Sequence, residues 1–480
     1  MNVAFVAFGS SFRGIIADEE SSSNCAVLEA PAYKILHEKF NAKFFICGPV
    51  QLKTREIINN PEWVTKYPYL KDVTICSPET EPKNVDLIWV QAGSDNLRLT
   101  GKYGDLNLPC AAFVYRLLKK YPKAKVVYYQ GDFAAPFWYT GECYDGLYKK
   151  LFDINSLWRY RNCHILAAGS GSEALYREYL DLYSFDEVVK IDFLAPDTHF
   201  LIDLTKSDYK ISEQLNSIAF AGKQRIIGSR EVSIQTYLNH IKQEFILAGK
   251  WKPDTVKDFE IRNPRFKYIG KLKEYKDVLD LYNTSGSTIY FSSKEYHRAN
   301  TVTSRMYDAI SSKSLPFINA ADYPTFAKVF GDFPELKVGV ETIDERFLEF
   351  KDPNKRNRVI KGLYHAYHQK HETVNTKFIY YIHNILTEQV QEREFKSNFE
   401  QLVRDNFKRL RRNRPKTDAE LNERVEKFFR YKEQSFDNLL STHVVGNKTQ
   451  FGLFETYRNR EAWSDVPPEK INQIKEFLTT

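Results

Sequence analysis

The chain has 480 residues, more than one ordinary core accommodates, so two domains and an appendage are expected. Hydrophobic residues make up 42% and aromatics 15%, which excludes a disordered chain, and the formal charge of +7 suits a polyanionic partner without specifying one. Cys25, Cys47, Cys76, Cys110, Cys143 and Cys163 form no C-x-x-C or Cys-His pattern and several sit in apolar runs, which excludes a disulfide or zinc framework and predicts reduced thiols in a cytoplasmic protein.

The opening MNVAFVAFGS lacks a basic flank and a cleavage site, so it reads as a first buried strand from Asn2 to Phe8 rather than a signal peptide. No run approaches the roughly 18 to 20 apolar residues of a membrane span. Gly9-Ser10-Ser11-Phe12-Arg13-Gly14 follows as a glycine loop. Glycines there let backbone approach a ligand, and they serve equally to close a tight turn. A helix begins near Ala26 and a strand spans Lys43 to Cys47. Next come VDLIWVQAG, with Asp86 before its strand, a helix over Ala111–Lys120, and AKVVYYQGD, which ends at Asp132. Strands at Asn162–Ala168 and Val188–Phe193 flank a helix at Ser172–Leu182. Strands alternating with helices at this spacing define a doubly wound α/β sheet. Pro196 and Asp197, in FLAPDTHF, suit a turn leaving the last strand. The expected division is therefore 1–198, 199–372 and 373–480.

In the second domain Ile218–Ala221 is the first strand, and it runs into the basic loop from Gly222 through Lys223 and Arg225 to Arg230. A strand ending at Gly270 leads to a helical pattern (Val278, Leu279, Leu281, Tyr282) and a buried strand, Thr288–Phe291. After a polar loop from Ser292 to Asn300, a helix carries Met306, Tyr307 and Ile310, stops in Ser311–Ser314, and gives way to the strand Leu315–Ile318. Loops at the carboxyl ends of parallel strands form a ligand crevice, and helix N-termini there attract phosphate. The polar loop should thus face an anionic ligand. Asn300, Thr301 and Thr303 stand where they cap the next helix or touch such a ligand. Arg305 is placed to pair with phosphate or with Asp308, and Asp308 reads equally as an acid favoured by the helix dipole.

From about Arg358 the chain is helical, with Tyr364, Tyr367, Phe378, Tyr381 and Ile385 at spacings near three and four. Arg404, Lys408, Arg409, Arg411, Arg412, Arg414 and Lys416, with Phe407 and Leu410 among them, would make a sequence-blind phosphate-binding stripe. Acidic lipid headgroups or plain solvent would suit the same charges.

YIGKL, STIYFSS and MYDAISSKSLPFI, in this order, resemble the nucleotide-sugar half of GT-B glycosyltransferases. The resemblance implies two facing Rossmann-like domains and a helical, basic C-terminal extension, with a nucleoside diphosphate sugar, uridine-linked, between the domains. Asp308 stands where that family commonly has a glutamate for the ribose hydroxyls. Asn300 takes the place of the first of two spaced glutamates, and Lys313-Ser314 replaces a small glycine-containing turn. Lys223 and Arg230 resemble the paired cations of retaining members, with Arg225 as the alternative. Sugar transfer leaves negative charge on the departing phosphate, which fixed cations and helix N-termini stabilise. Gly9, Ser10, Gly222 and Gly270 complete the implied donor site. VVYYQGD resembles a strand end of the phage DNA α-glucosyltransferases, with Gly131 where they have histidine. It makes Asp132 a candidate to orient or deprotonate an acceptor hydroxyl, or a simple turn cap. The implied acceptor is a hydroxymethylated pyrimidine in DNA. Glu295 and His297 are candidate sugar or acceptor contacts. The sequence holds no Asp-x-Asp, H-E-x-x-H or phosphate-loop motif, so neither a metal nor a cofactor beyond the donor is expected. A bacterial transferase of surface polysaccharide or glycolipid, a GT-B-like sugar-nucleotide epimerase and a noncatalytic nucleic-acid-binding protein are the rival readings.

Overall fold

The computed structural model describes residues 1–6, 30–46, 60–66, 68–76, 82–91, 117, 120–130, 163–167, 191–194, 198–201, 204, 207–222, 224, 229–292, 296–297, 300–389, 404, 408, 415–423 and 426. Strands β1 (Asn2–Val6), β2 (Lys43–Ile46), β3 (Val73–Ile75), β4 (Leu87–Gln91), β5 (Lys125–Gln130), β6 (Cys163–Ala167) and β7 (Ile191–Leu194) form one parallel sheet. Their order is β3-β2-β1-β4-β5-β6-β7. Val3, Ala4 and Phe5 on β1 are all fully buried, the sign of a parallel sheet covered on both faces. Helix α1 (Ala30–Phe40) sets Tyr33 edge-on to Phe5 at 5.2 Å between ring centroids, while Trp89 and Tyr129 stack at 5.1 Å beside it. A short helix, α2 (Pro61–Lys66), precedes β3.

The second sheet comprises β8 (Ser217–Ala221), β9 (Phe245–Ala248), β10 (Phe266–Gly270), β11 (Gly286–Tyr290), β12 (Leu315–Asn319) and β13 (Lys337–Val338), all parallel, in the order β10-β9-β8-β11-β12-β13. Helices α3 (Ser229–Leu238), α4 (Pro253–Arg262), α5 (Tyr275–Ser285), α6 (Ser304–Ser311), α7 (Tyr323–Phe330) and α8 (Ile343–Glu349) connect and follow these strands. In both sheets the chain steps outward over two strands and then returns to build on the other side. Strand order therefore reverses between β1 and β4 and again between β8 and β11, the switch points at which open α/β sheets bind ligands.

Helix α9 (Pro353–Thr387) closes the described fold. Asp352 caps it, accepting from Asn354 N at 2.9 Å, and Pro353 at its start supplies a helical φ with no orphaned N–H. Val359, Ile360, Leu363, Tyr367, Val374, Phe378, Ile382 and Ile385 are buried along one stripe. At its C-terminal end the helix reaches the first domain, where Glu388 pairs with His164 of β6 at 2.9 Å; before that, His371 Nδ1 lies 2.7 Å from the Phe200 carbonyl oxygen and Tyr364 donates to the Leu204 carbonyl at 2.8 Å, both just past the expected boundary. A division at 372 falls inside α9. We propose that the helix is shared between the two domains.

The strands and helices expected from the apolar runs are present wherever they fall on described residues. The helices at 111–120 and 172–182 fall largely or wholly outside them. Not expected were α2, β3, α3, β9, α4, α7, α8 and β13. No helix among the described residues is long and apolar enough to cross a membrane.

Candidate functional site at the carboxyl ends of the second sheet

Three glycines lie at neighbouring strand ends: Gly222 after β8, Gly249 after β9 and Gly270 closing β10. Gly270 has φ +76 and Gly249 φ +123, backbone states that side chains strain to adopt. Any β-carbon on Gly249 would overlap the carbonyl oxygen of Gly222. That oxygen accepts from Trp251 Nε1 at 2.7 Å, and Gly249 N donates to Gly270 O, also at 2.7 Å. Gln224 is pinned as well, its Oε1 accepting from Lys252 N at 2.8 Å and its Nε2 donating to Thr255 at 3.0 Å. The loop that opens at Gly222 therefore starts from a rigid base. Lys223 and Arg225 lie outside the described residues. Arg230 is the second residue of α3, whose free N–H groups follow β8, and its side chain is likewise outside them.

Across the switch point, α6 contributes Arg305 and Asp308. Arg305 Nε donates to the Ala221 carbonyl at the end of β8 at 2.9 Å, and its guanidinium sits 5.2 Å from the Phe220 ring centroid. The sequence offers phosphate or Asp308 as partners of Arg305; the structure adds a strand-end carbonyl as the partner of its Nε. Among the described residues the two terminal nitrogens of Arg305 have no partner, so they stay available beside Gly222. Asp308 is only 2% exposed and accepts from Tyr275 OH at 2.7 Å. It is the fifth residue of α6, past the first turn, so the helix-dipole reading does not hold. Tyr282 accepts from Ala221 N at 3.1 Å, and its phenol is pushed up, first by burial and then by the charge of Asp308.

The loop into α6 departs from simple capping. Thr303 occupies the cap position, yet its side chain makes no cap hydrogen bond, and its N–H donates to Tyr290 OH at 2.8 Å. Burial pushes Tyr290 up to about 12. Thr301 is fully buried, and its hydroxyl has no hydrogen-bond partner among the described residues. Asn300 has φ +47, a left-handed state that asparagine tolerates, and its Oδ1 accepts from Lys328 at 3.3 Å.

Sequence reasoning named His297 but missed Asp322 and the polar cluster that it gathers. Asp322 is 2% exposed and receives the Ser292 hydroxyl, Ser292 N at 3.2 Å, Asn319 Nδ2 at 3.1 Å and His297 Nε2 at 2.6 Å. In sequence Asp322 stands before Tyr323-Pro324 and reads as an ordinary helix cap, which hides its partners.

Gly9, Ser10, Asp132, Glu295, Arg409, Arg411, Arg412 and Arg414 lie outside the described residues. Of the basic run, Arg404 Nη1 donates to Asn422 at 2.5 Å, Lys408 is exposed, and Lys416 N donates to Glu420 at 2.5 Å. None of the three is placed at the sheet's strand ends by these contacts.

Two doubly wound parallel sheets flanked by helices, with a long helix returning to the first domain, are the architecture of GT-B glycosyltransferases. Among solved structures the chain is similar to T4 phage β-glucosyltransferase in complex with UDP-glucose, at 13% identity and a TM-score of 0.50, with 81% of this chain and 100% of that one covered. The T4 phage enzyme with UDP and Mn2+ gives 14% identity, the same coverage and a TM-score of 0.50. What is shared at such identities is the fold. No family model and no curated protein matches the sequence.

Proposed function

We propose that the chain is a glycosyltransferase that moves a sugar from a nucleoside diphosphate sugar, with UDP as carrier, to hydroxymethylated pyrimidine bases of DNA. One observation carries the donor half. Arg305 is locked across the β8–β11 switch point, its two terminal nitrogens without a partner among the described residues, three residues from a buried Asp308 that accepts from Tyr275. A guanidinium next to a glycine-opened loop suits a diphosphate, and a buried carboxylate suits two ribose hydroxyls. The T4 phage enzyme that shares the fold was solved with UDP-glucose, which supports the same donor.

In this reading Lys223 and Arg230, with Arg225 in reserve, stabilise charge on the leaving diphosphate. Gly9 and Ser10 approach the donor from the first domain. Asp132 orients the acceptor hydroxyl or takes its proton, while the hydroxymethyl oxygen bonds to the anomeric carbon on the same face from which the diphosphate oxygen leaves with its electron pair. These cations do the work of a divalent ion, so neither a metal nor a cofactor other than the donor is required. The run from Arg404 to Lys416 carries the DNA backbone, and the enzyme works in the cytoplasm with retention at the anomeric carbon. Reaching a stacked base also requires extruding it.

Incubation with UDP-glucose, UDP-galactose or UDP-N-acetylglucosamine, in EDTA, with hydroxymethylated, plain or no DNA tests the reading. Digestion and mass spectrometry of the nucleosides should show one added sugar on hydroxymethylated DNA alone, lost in Lys223→Ala and weakened by rising salt. Absence of transfer with every donor overturns the acceptor. A β-linked product, read by NMR, overturns retention.

A further inference from the structure

We infer that His297 is the residue that recognises the sugar of the donor, accepting a hydrogen bond from a sugar hydroxyl through Nδ1, and that Asp322 holds it in place. This rests on the donor reading above.

The geometry of the ring leads to this. His297 Nε2 lies 2.6 Å from Asp322 Oδ1 and 2.9 Å from Ser292 Oγ, and the Ser292 hydroxyl itself donates to Asp322. Nε2 therefore carries a proton shared between the two oxygens, and in the neutral ring the lone pair is on Nδ1. Among the described residues Nδ1 has no partner, and the side chain is 29% exposed at the carboxyl end of β11. A hydroxyl group is the ligand chemistry that such an acceptor matches.

The arrangement exceeds what a structural histidine requires. Asp322 already receives Ser292 N, the Ser292 hydroxyl and Asn319 Nδ2, so its oxygens are satisfied without the imidazole. The carboxylate instead fixes the ring's tautomer and direction, as carboxylates do for working histidines. The network also has a specific reach. Asn319 Oδ1 accepts from Tyr237 OH at 3.1 Å, which ties the cluster to the last turn of α3. Tyr275 and Asp308 instead tie α5 to α6. With the nucleoside at Asp308 and the diphosphate at Arg305 and Gly222, the sugar is the part of the donor left for His297, which stands in the loop between β11 and the helix that carries Arg305 and Asp308.

Calorimetry of the full chain with UDP, UDP-glucose and UDP-galactose separates this role from a structural one. His297→Gln keeps an N–H for Asp322 and removes the outward acceptor. It should bind UDP within twofold of the parent and weaken the better-bound sugar nucleotide at least fivefold. Asp322→Asn, acting through His297, should shift the same ratio in the same direction, with circular dichroism confirming its fold. Equal losses for UDP and the sugar nucleotides, or no change in the His297→Gln ratio, would overturn the assignment. Failure of the parent to bind UDP would instead overturn the donor reading beneath it.

Discussion

A β-carbon on Gly249 has nowhere to go, because the Gly222 carbonyl occupies its place and the backbone there is left-handed. Gly249→Ala should lower stability by about 3 kcal/mol and displace the loop opening at Gly222; urea denaturation and UDP titration check both effects. Lys313 presents the opposite case, a non-glycine residue holding φ +54 at the end of α6, where the sequence resemblance anticipates a small glycine turn. Burial lowers its pKa from 10.5 to about 8, although its ammonium lies 3.0 Å over the Tyr364 ring, which returns part of the cost. Lys313→Gly should stabilise the fold by about 1 kcal/mol at pH 7 by relieving the left-handed strain. The sign with pH follows from linkage. Below about pH 8 the lysine is charged in both states and its burial penalty is present in full. Between about pH 8 and 10.5 the unfolded chain binds the extra proton, so the parent gains stability and the margin of the variant narrows. Urea denaturation of both proteins at pH 7, 9 and 10.5 reads that narrowing.

At the scale of elements, α9 holds the second domain through one buried cation. Arg356 is 1% exposed and donates to the carbonyls of Phe350 at 2.8 Å, Ser212 at 3.0 Å and Glu213 at 2.7 Å. It thus joins the helix start to the segment that enters β8. Arg356→Met leaves three carbonyls without their donor and should destabilise by about 3 kcal/mol in chemical denaturation. Arg356→Lys should recover little, since an ammonium cannot span the fork of acceptors. Helix α5 is set from its own sequence: Asp277 Oδ2 accepts from Lys273 N and Glu274 N, both at 3.0 Å. That local box fixes where α5 begins, and so places Tyr275 against Asp308.

At the scale of the molecule, the two sheets share one winding, and the long closing helix carries contacts from β12 back to Phe200 and His164. Strand runs such as VDLIWVQ and SIAFA could be read directly because a parallel strand is buried on both faces and leaves an unbroken apolar stretch. The same logic fails for β13, which has two residues, and for α4, a short and largely polar helix that buries only Thr255, Val256 and Phe259. At the site, Gly222, Gly270, Arg305 and Asp308 were evident as residue types at strand ends and in a helix. Their partners were not: Ala221 lies 84 residues from Arg305, and Tyr275 lies 33 from Asp308.

The amino-acid order by itself determined the alternation of strands and helices, the glycines at the strand ends and the basic loop after β8, since periodicity and backbone freedom are local properties. Tertiary structure alone decided that Arg305 turns Nε to the Ala221 carbonyl, and that Ser292, His297, Asn319 and Asp322 meet. A hydrogen bond depends on where strand order reverses and brings distant ends together, and no spacing along the chain encodes that.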